Sequence, residues 1–285
     1  MNDADPLAER NARAHQYSQE GRGDLAIPLF EEVLADRVRV LGTDHPDTLA
    51  SRNNLAGAYW SAGRVGEAIP LFEEVLAERV RVLGPDHPDT LASRNNLAYA
   101  YQAAGRLDEA IPLFEEVLAD RVRVLGPDHP HTLTSRNNLA YAYYAAGRLD
   151  EAIPLYEQVL ADSVRVLGPD HPHTLTSRNN LAYAYQAAGR LGEAIALYEQ
   201  VLADCVRVLG ADHPHALASR GSLAGAYESA GRLDEAITLY EGVLADTRRV
   251  LGADHPSTLA SRRNLEAARR ARESGSASAP GVAEE

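Results

Sequence analysis

The tripeptide Asp-His-Pro ends at Pro46, Pro88, Pro130, Pro172, Pro214 and Pro256, a spacing of 42 residues without slippage. Residues 85–126 differ from residues 127–168 at only six positions, one of which exchanges Arg121 for Ser163. A unit copied this faithfully specifies one small structure that is stacked on itself, because each copy must bury its apolar face against the next.

Within a copy, Leu49, Leu55, Ala56, Tyr59 and Ala62 recur at helical spacing, with Pro46 at a favourable first-turn position and Gly63 as the stop. A second helix follows, carrying Ala68, Phe72, Val75, Leu76, Arg79 and Leu83 on one face and ending at Gly84. Pro70 removes a donor near its start, yet Ala196 and Thr238 replace it in later copies, so it is not required. No segment alternates with period two, and the chain reads as all-α.

Each copy is thus an A helix and a B helix. Six pairs are expected from Leu7, followed by an unpaired A helix from about Pro256 to Arg272. At the position held by Ala56, Ala98, Ala140, Ala182 and Ala224 this last helix has Glu266. A small residue is needed there only where a B helix packs closely, so the Arg-rich run RRNLEAARRAR is read as a polar cap. Residues 1–6 and 273–285 have the composition of disordered ends, leaving 7–272 as the repeat domain.

Composition narrows the function. The formal charge is −13 and every one of the 28 basic residues is Arg. That balance repels nucleic acid and anionic membrane. The one cysteine, Cys205, excludes an internal disulfide framework and fits a reducing compartment. No apolar run approaches the roughly 20 residues that span a bilayer, and the polar N-terminus is no signal peptide. A cytoplasmic protein is expected, and the Ala-rich, all-Arg composition suggests a bacterial source. Ser51, His45 and Asp47 recur in nearly every copy without the asymmetry of a catalytic triad, and there is no phosphate loop. Neither an enzyme nor a cofactor is expected. The pairs His129/His131, His171/His173 and His213/His215 lack a nearby cysteine, so they are read as helix-start packing and no metal site is assigned.

Leu55, Ala56, Tyr59, Gly63, Ala68 and Phe72 resemble the signature of the tetratricopeptide repeat. The 42-residue period, the NNLA run and the LGPDHP loop are similar to the longer form found in kinesin light chains and in bacterial tetratricopeptide proteins. The resemblance implies a right-handed α-solenoid of helix-turn-helix repeats whose A helices line a concave groove. One departure is that Arg52, Arg94, Arg136, Arg178, Arg220 and Arg262 stand where an aromatic is common. Each is expected to pair with a B-helix carboxylate such as Glu73, Glu74 or Glu78.

Asn53 and Asn54 project away from the apolar stripe, so the resemblance places them in the groove. Repetition makes a ladder: Asn53 and Asn54, Asn95 and Asn96, Asn137 and Asn138, Asn179 and Asn180. Beside it run Tyr99, Tyr141 and Tyr183, and then Trp60, Gln102, Tyr144 and Gln186. A carboxamide both donates and accepts, so it bonds a peptide backbone regardless of its side chains. Tyr adds apolar area at low entropic cost. Hydrogen bonds of about 1 kcal/mol each barely offset an association cost of roughly 4–15 kcal/mol. The aromatic positions therefore carry the affinity, which is expected to be micromolar, about −8 kcal/mol.

Two roles stay open for the ladder: binding an extended peptide, or bonding neighbouring A helices in register. It ends at Gly221 and Ser222, and the groove lacks the basic residues of a chaperone-tail clamp. Function accordingly reads as a protein-binding scaffold or adaptor. The alternatives are a self-assembling structural repeat, with homo-oligomers, or a sensor module serving a separate effector.

Overall fold

The computed structural model describes residues 6–277, and among them every regular element is an α-helix. The A helices are α1 (Pro6–Gln19), α3 (Pro46–Ser61), α5 (Pro88–Ala103), α7 (Pro130–Ala145), α9 (Pro172–Ala187), α11 (Pro214–Ser229) and α13 (Pro256–Ala277). The B helices are α2 (Gly23–Leu41), α4 (Val65–Leu83), α6 (Leu107–Leu125), α8 (Leu149–Leu167), α10 (Leu191–Leu209) and α12 (Leu233–Leu251). Helices α1–α7 form one compact unit and α8–α13 another. Inside each unit every helix packs on the next in sequence.

The two turns of a repeat have different chemistry. After α3, Gly63 takes φ +75° and the Arg64 amide reaches back to Tyr59 O at 2.9 Å, which a side chain at Gly63 would strain. After α4, Gly84 (φ +89°) leads into a loop whose histidine caps the next helix. His87 Nδ1 accepts the Asp89 amide at 3.1 Å, and His45 accepts that of Asp47 at 3.2 Å. His129, His171 and His213 do the same for the second histidine of their pairs. The expected helix-start role of these residues is thus an N-cap, with a ring nitrogen as the acceptor for an otherwise orphaned donor.

The core is built from a small residue on each A helix and an aromatic on each B helix. Ala14, Ala56, Ala98, Ala140, Ala182 and Ala224 are fully buried, and so are or nearly so Phe30, Phe72, Phe114, Tyr156, Tyr198 and Tyr240. Each buried ring contributes about 1.5–3 kcal/mol, and alanine lets the backbones approach closely enough to enclose it. Glu266, at the same position of α13, is exposed. Arg269 and Arg272 fold back onto Glu241 (2.7 Å) and Asp234 (3.1 Å) of α12.

The end of α13 departs from expectation. The helix continues to Ala277, past Arg272, because no proline or positive-φ residue interrupts it there, and the Ser274 hydroxyl bonds Ala271 O inside the helix at 2.9 Å. Pro6, expected in the disordered N-terminal stretch, opens α1 instead, and the rest of that stretch and residues 278–285 lie outside the described residues. No helix among the described residues is long and apolar enough to cross a membrane.

Candidate functional site

The arginine row is structural. Arg10 pairs with Asp36 at 2.6 Å, Arg52 with Glu74 at 3.8 Å, Arg94 with Glu116 at 3.2 Å and with Asp120, Arg178 with Asp204, and Arg220 with Asp246 at 2.7 Å. Glu74 and Glu78 or their counterparts take this role as expected. Glu73 does not: it accepts the Tyr101 hydroxyl at 2.6 Å. Burial first and the Glu73 bond second push the Tyr101 phenol up to about 12. The same bond recurs from Tyr59 to Glu31 (2.6 Å) and from Tyr185 to Glu157 (2.7 Å), with Arg64 and Arg190 over the Tyr59 and Tyr185 rings at 4.5 and 4.1 Å. The arginine pairs tie an A helix to the B helix that follows it and the tyrosine bonds tie it to the B helix before it, while Arg262 of α13 is exposed.

In the first unit, the predicted face of α3 opens on a cavity of about 310 Å³. Asn53, Asn54, Gly57, Trp60 and Ser61 of α3 line it together with Asn96 and Tyr99 of α5 and His15 and Ser18 of α1, over a floor that includes Phe30 and Phe72. Trp60 is 43% exposed. Three predicted positions from α3 and two from α5 therefore share one concavity, because neighbouring A helices present the same face to solvent.

The amides also bond sideways. Asn96 Nδ2 donates to Asn53 Oδ1 at 3.2 Å, and Asn54 shares a 3.2 Å hydrogen bond with His15. Burial is the chief cause that raises the Tyr99 hydroxyl's pKa, and the neighbouring Asn138 and Asn95 amides act weakly against it. Tyr99 stands edge-on to Phe114 at 5.3 Å. Asn138, expected on the open face, is buried, since the side-by-side packing of A helices covers it. Asn95, Gln102, Asn137 and Tyr144 are half-buried, while Tyr141 is 50% exposed and lies 6.2 Å from the Tyr144 ring.

In the second unit, Asn180 and Gln186 are half-buried, and Gln186 bonds Ser229 Oγ at 3.0 Å. Asn179 and Tyr183 line a separate cavity of about 330 Å³ between α9, α10 and α11. The Tyr183 hydroxyl lies 2.7 Å from Ser222 Oγ and its ring is edge-on to Tyr198 at 5.5 Å. Sequence reasoning missed this cavity. Its signal was a single column of the repeat, where Arg37, Arg79 and Arg121 give way to Ser163, Cys205 and Thr247.

Among the described residues, no group of three His, Cys, Asp or Glu side chains gathers as a metal ion would need. The tetratricopeptide repeat family profile matches residues 7–77, 53–121, 89–163, 137–205, 179–245 and 216–278. A crystal structure of a putative kinesin light chain with nearly identical TPR-like repeats from Podosopora anserina is 41% identical over 73% of this chain and 99% of that one, with a TM-score of 0.67. BtubC from P. vanneervenii matches 99% of this chain and 97% of its own at 19% identity and TM-score 0.57. The tetratricopeptide-sensor ATPase PH0952 from Pyrococcus horikoshii matches 93% of this chain and 39% of its own at 15% identity and TM-score 0.70. These last two show the fold alone. No curated protein sequence matches at a significant level. Tetratricopeptide repeats are generally protein-interaction modules, and scaffold families built on them are typically non-catalytic. With six profile matches along its length and its nearly identical 42-residue units, the chain belongs to the tetratricopeptide repeat family, as an all-α repeat solenoid of the kinesin-light-chain-like type.

Proposed function

We propose that the chain is a protein-interaction scaffold or adaptor that binds an extended peptide segment along its A-helix face. The carrying observation is the α1–α3–α5 cavity, where carboxamides from two repeats stand beside Trp60 and Tyr99. Amide groups suit a peptide backbone and the aromatic rings suit its side chains. The lateral Asn96–Asn53 bond is compatible with this role, since each carboxamide has further donor and acceptor capacity after one bond. Register-keeping and peptide binding then draw on the same residues.

The two roles separate by mutation. Peptides selected from a displayed random library against the intact chain should lose about tenfold in affinity on Trp60→Ala or Tyr141→Ala, as exposed aromatic anchors do, with the melting temperature unchanged. Asn96→Ala should weaken binding and also cost about 1 kcal/mol of stability through the lost interhelix bond. Failure to enrich any peptide, or peptides indifferent to Trp60 and Tyr141, overturns the reading and leaves the ladder as a register device.

A further inference from the structure

One column of the B helix is filled in four different ways along the chain, the last by Thr247, which is buried and bonds Val243 O of its own helix at 2.8 Å. In the first three repeats an arginine crosses to the next A helix and bonds a first-turn carbonyl and a serine. Arg37 reaches Asp47 O and Ser51 Oγ, both at 2.8 Å. Arg79 reaches Asp89 O at 3.0 Å and Ser93 Oγ at 2.8 Å, and Arg121 reaches His131 O at 3.1 Å and Ser135 Oγ at 2.6 Å. Arg79 is only 7% exposed, so this socket accommodates a buried guanidinium. Burial lowers the pKa of both Arg79 and Arg121. The Arg121 charge also acts on the Tyr99 hydroxyl, which places the socket beside the A-helix face.

At Ser163 the socket is filled from the other side. His173 of α9 is half-buried, with Nδ1 3.3 Å from Ser163 Oγ and 3.4 Å from Ser177 Oγ. At Cys205 neither solution operates. The thiol is far shorter than arginine, and His215 is exposed, stacked on His213 with ring centroids 5.3 Å apart. What remains is the cavity of about 330 Å³, walled by Leu175, Val201, Cys205 and Leu209 and lined by the exposed Tyr183, the counterpart of Tyr99.

The acceptors of the socket are still in place. Ser219 lines the cavity and donates to His215 O at 2.8 Å, as Ser93 does to Asp89 O and Ser135 to His131 O, both at 3.0 Å. In the sister sockets that orientation leaves the serine oxygen to accept from a guanidinium. Here it meets only Cys205 Sγ at 3.7 Å. Asp170 also lines the cavity but is already paired with Arg207 at 2.5 Å, so the pull on a cation comes from the chain's net charge of −13. An arginine side chain also suits the mixed lining, because its methylene stem packs on aliphatic walls while its tip bonds oxygen.

We propose that the α9–α10–α11 cavity is a vacated arginine socket that receives an arginine side chain from a bound protein partner, the stem along Leu175, Val201 and Leu209 and the guanidinium on Ser219 Oγ and the His215 carbonyl. The proposal rests on the peptide-binding reading only for the carrier of that arginine.

The test uses the intact chain and N-acetyl-L-arginine N-methylamide, titrated by NMR. Its neutral isostere N-acetyl-L-citrulline N-methylamide should bind about tenfold more weakly, since the charge-assisted bonds are lost. Cys205→Arg fills the socket as Arg121 does and should remove binding by at least about tenfold. Ser219→Ala is a second variant and should weaken the capped arginine several-fold. Equal binding of the citrulline compound, or unchanged binding in both variants, overturns the proposal. Tighter binding of N-acetyl-L-leucine N-methylamide would overturn it too, as the mark of an apolar anchor pocket. Agmatine separates free ligand from peptide: agmatine binding without capped-arginine binding rejects a partner side chain. Loss of the library peptides on Trp60→Ala is a separate readout, so either reading can fail alone.

Discussion

His173 shows how one substitution reassigns a neighbour. Its counterparts Asp89 and His131 each offer a carbonyl to an arginine, but with Ser163 in place of that arginine the His173 ring occupies the gap. Burial first, and the neighbouring His171 second, lower its pKa below the ordinary 6.5. A histidine depressed in the folded state takes up protons more readily when unfolded, so its contribution is complete above about pH 6.5 and is lost as pH falls through the folded value. Urea denaturation of the native chain against His173→Gln should therefore show the two stability curves converging below about pH 6.5. Parallel curves across that range would mean that the ring stays solvated. The pairing of His173 with Ser163 was not legible in the sequence, because HPH reads identically at 129–131, 171–173 and 213–215 while the three second histidines have different surroundings.

At the scale of helices, most of the structure was legible. Pro46 and its counterparts begin the A helices, Gly63 and Gly84 end the helices they follow, and the alanine at position 56 of the repeat predicts where helices touch. These signals are local or steric, and repetition averages out their noise. The candidate site was legible only as a face. Periodicity placed Asn53, Asn54 and Trp60 on the outer side of α3, but it could not show that Asn138 is covered by an adjoining helix or that Asn96 bonds Asn53. Such facts depend on the spacing between helices, which one helix's pattern does not encode. Helix α13 is a second helix-scale case. Leu265 and Ala268 of α13 pack with Ala236, Ile237 and Tyr240 of α12, whereas Glu266 is exposed. Leu265→Ala should cost about 2–4 kcal/mol, read from chemical denaturation, whereas Glu266→Ala should change stability by less than about 0.5 kcal/mol. A large effect at Glu266 would mean that its side chain caps α13 in some other way.

Inside each unit the packing is chiefly between helices adjacent in sequence, with lighter contacts between successive A helices such as α9 with α11 and the Asn96–Asn53 bond of α5 with α3. Stability in such an array is close to a sum of intrinsic repeat terms and nearest-neighbour interfaces, and unfolding spreads through the chain instead of striking it at once. The Leu265→Ala variant tests this as well as the α12–α13 interface. In native-state hydrogen exchange of the full chain, protection should fall most in α12 and α13, less in α11, and hardly at all in α1–α5. A two-state protein would instead lower the protection of all globally exchanging amides together. A uniform drop would therefore show that the cooperative unit is longer than a repeat and its neighbour. A graded one would have a functional consequence: ligands of the α1–α3–α5 cavity and of the α9–α10–α11 socket would each stabilise mainly their own repeats, so that the two sites could be occupied independently.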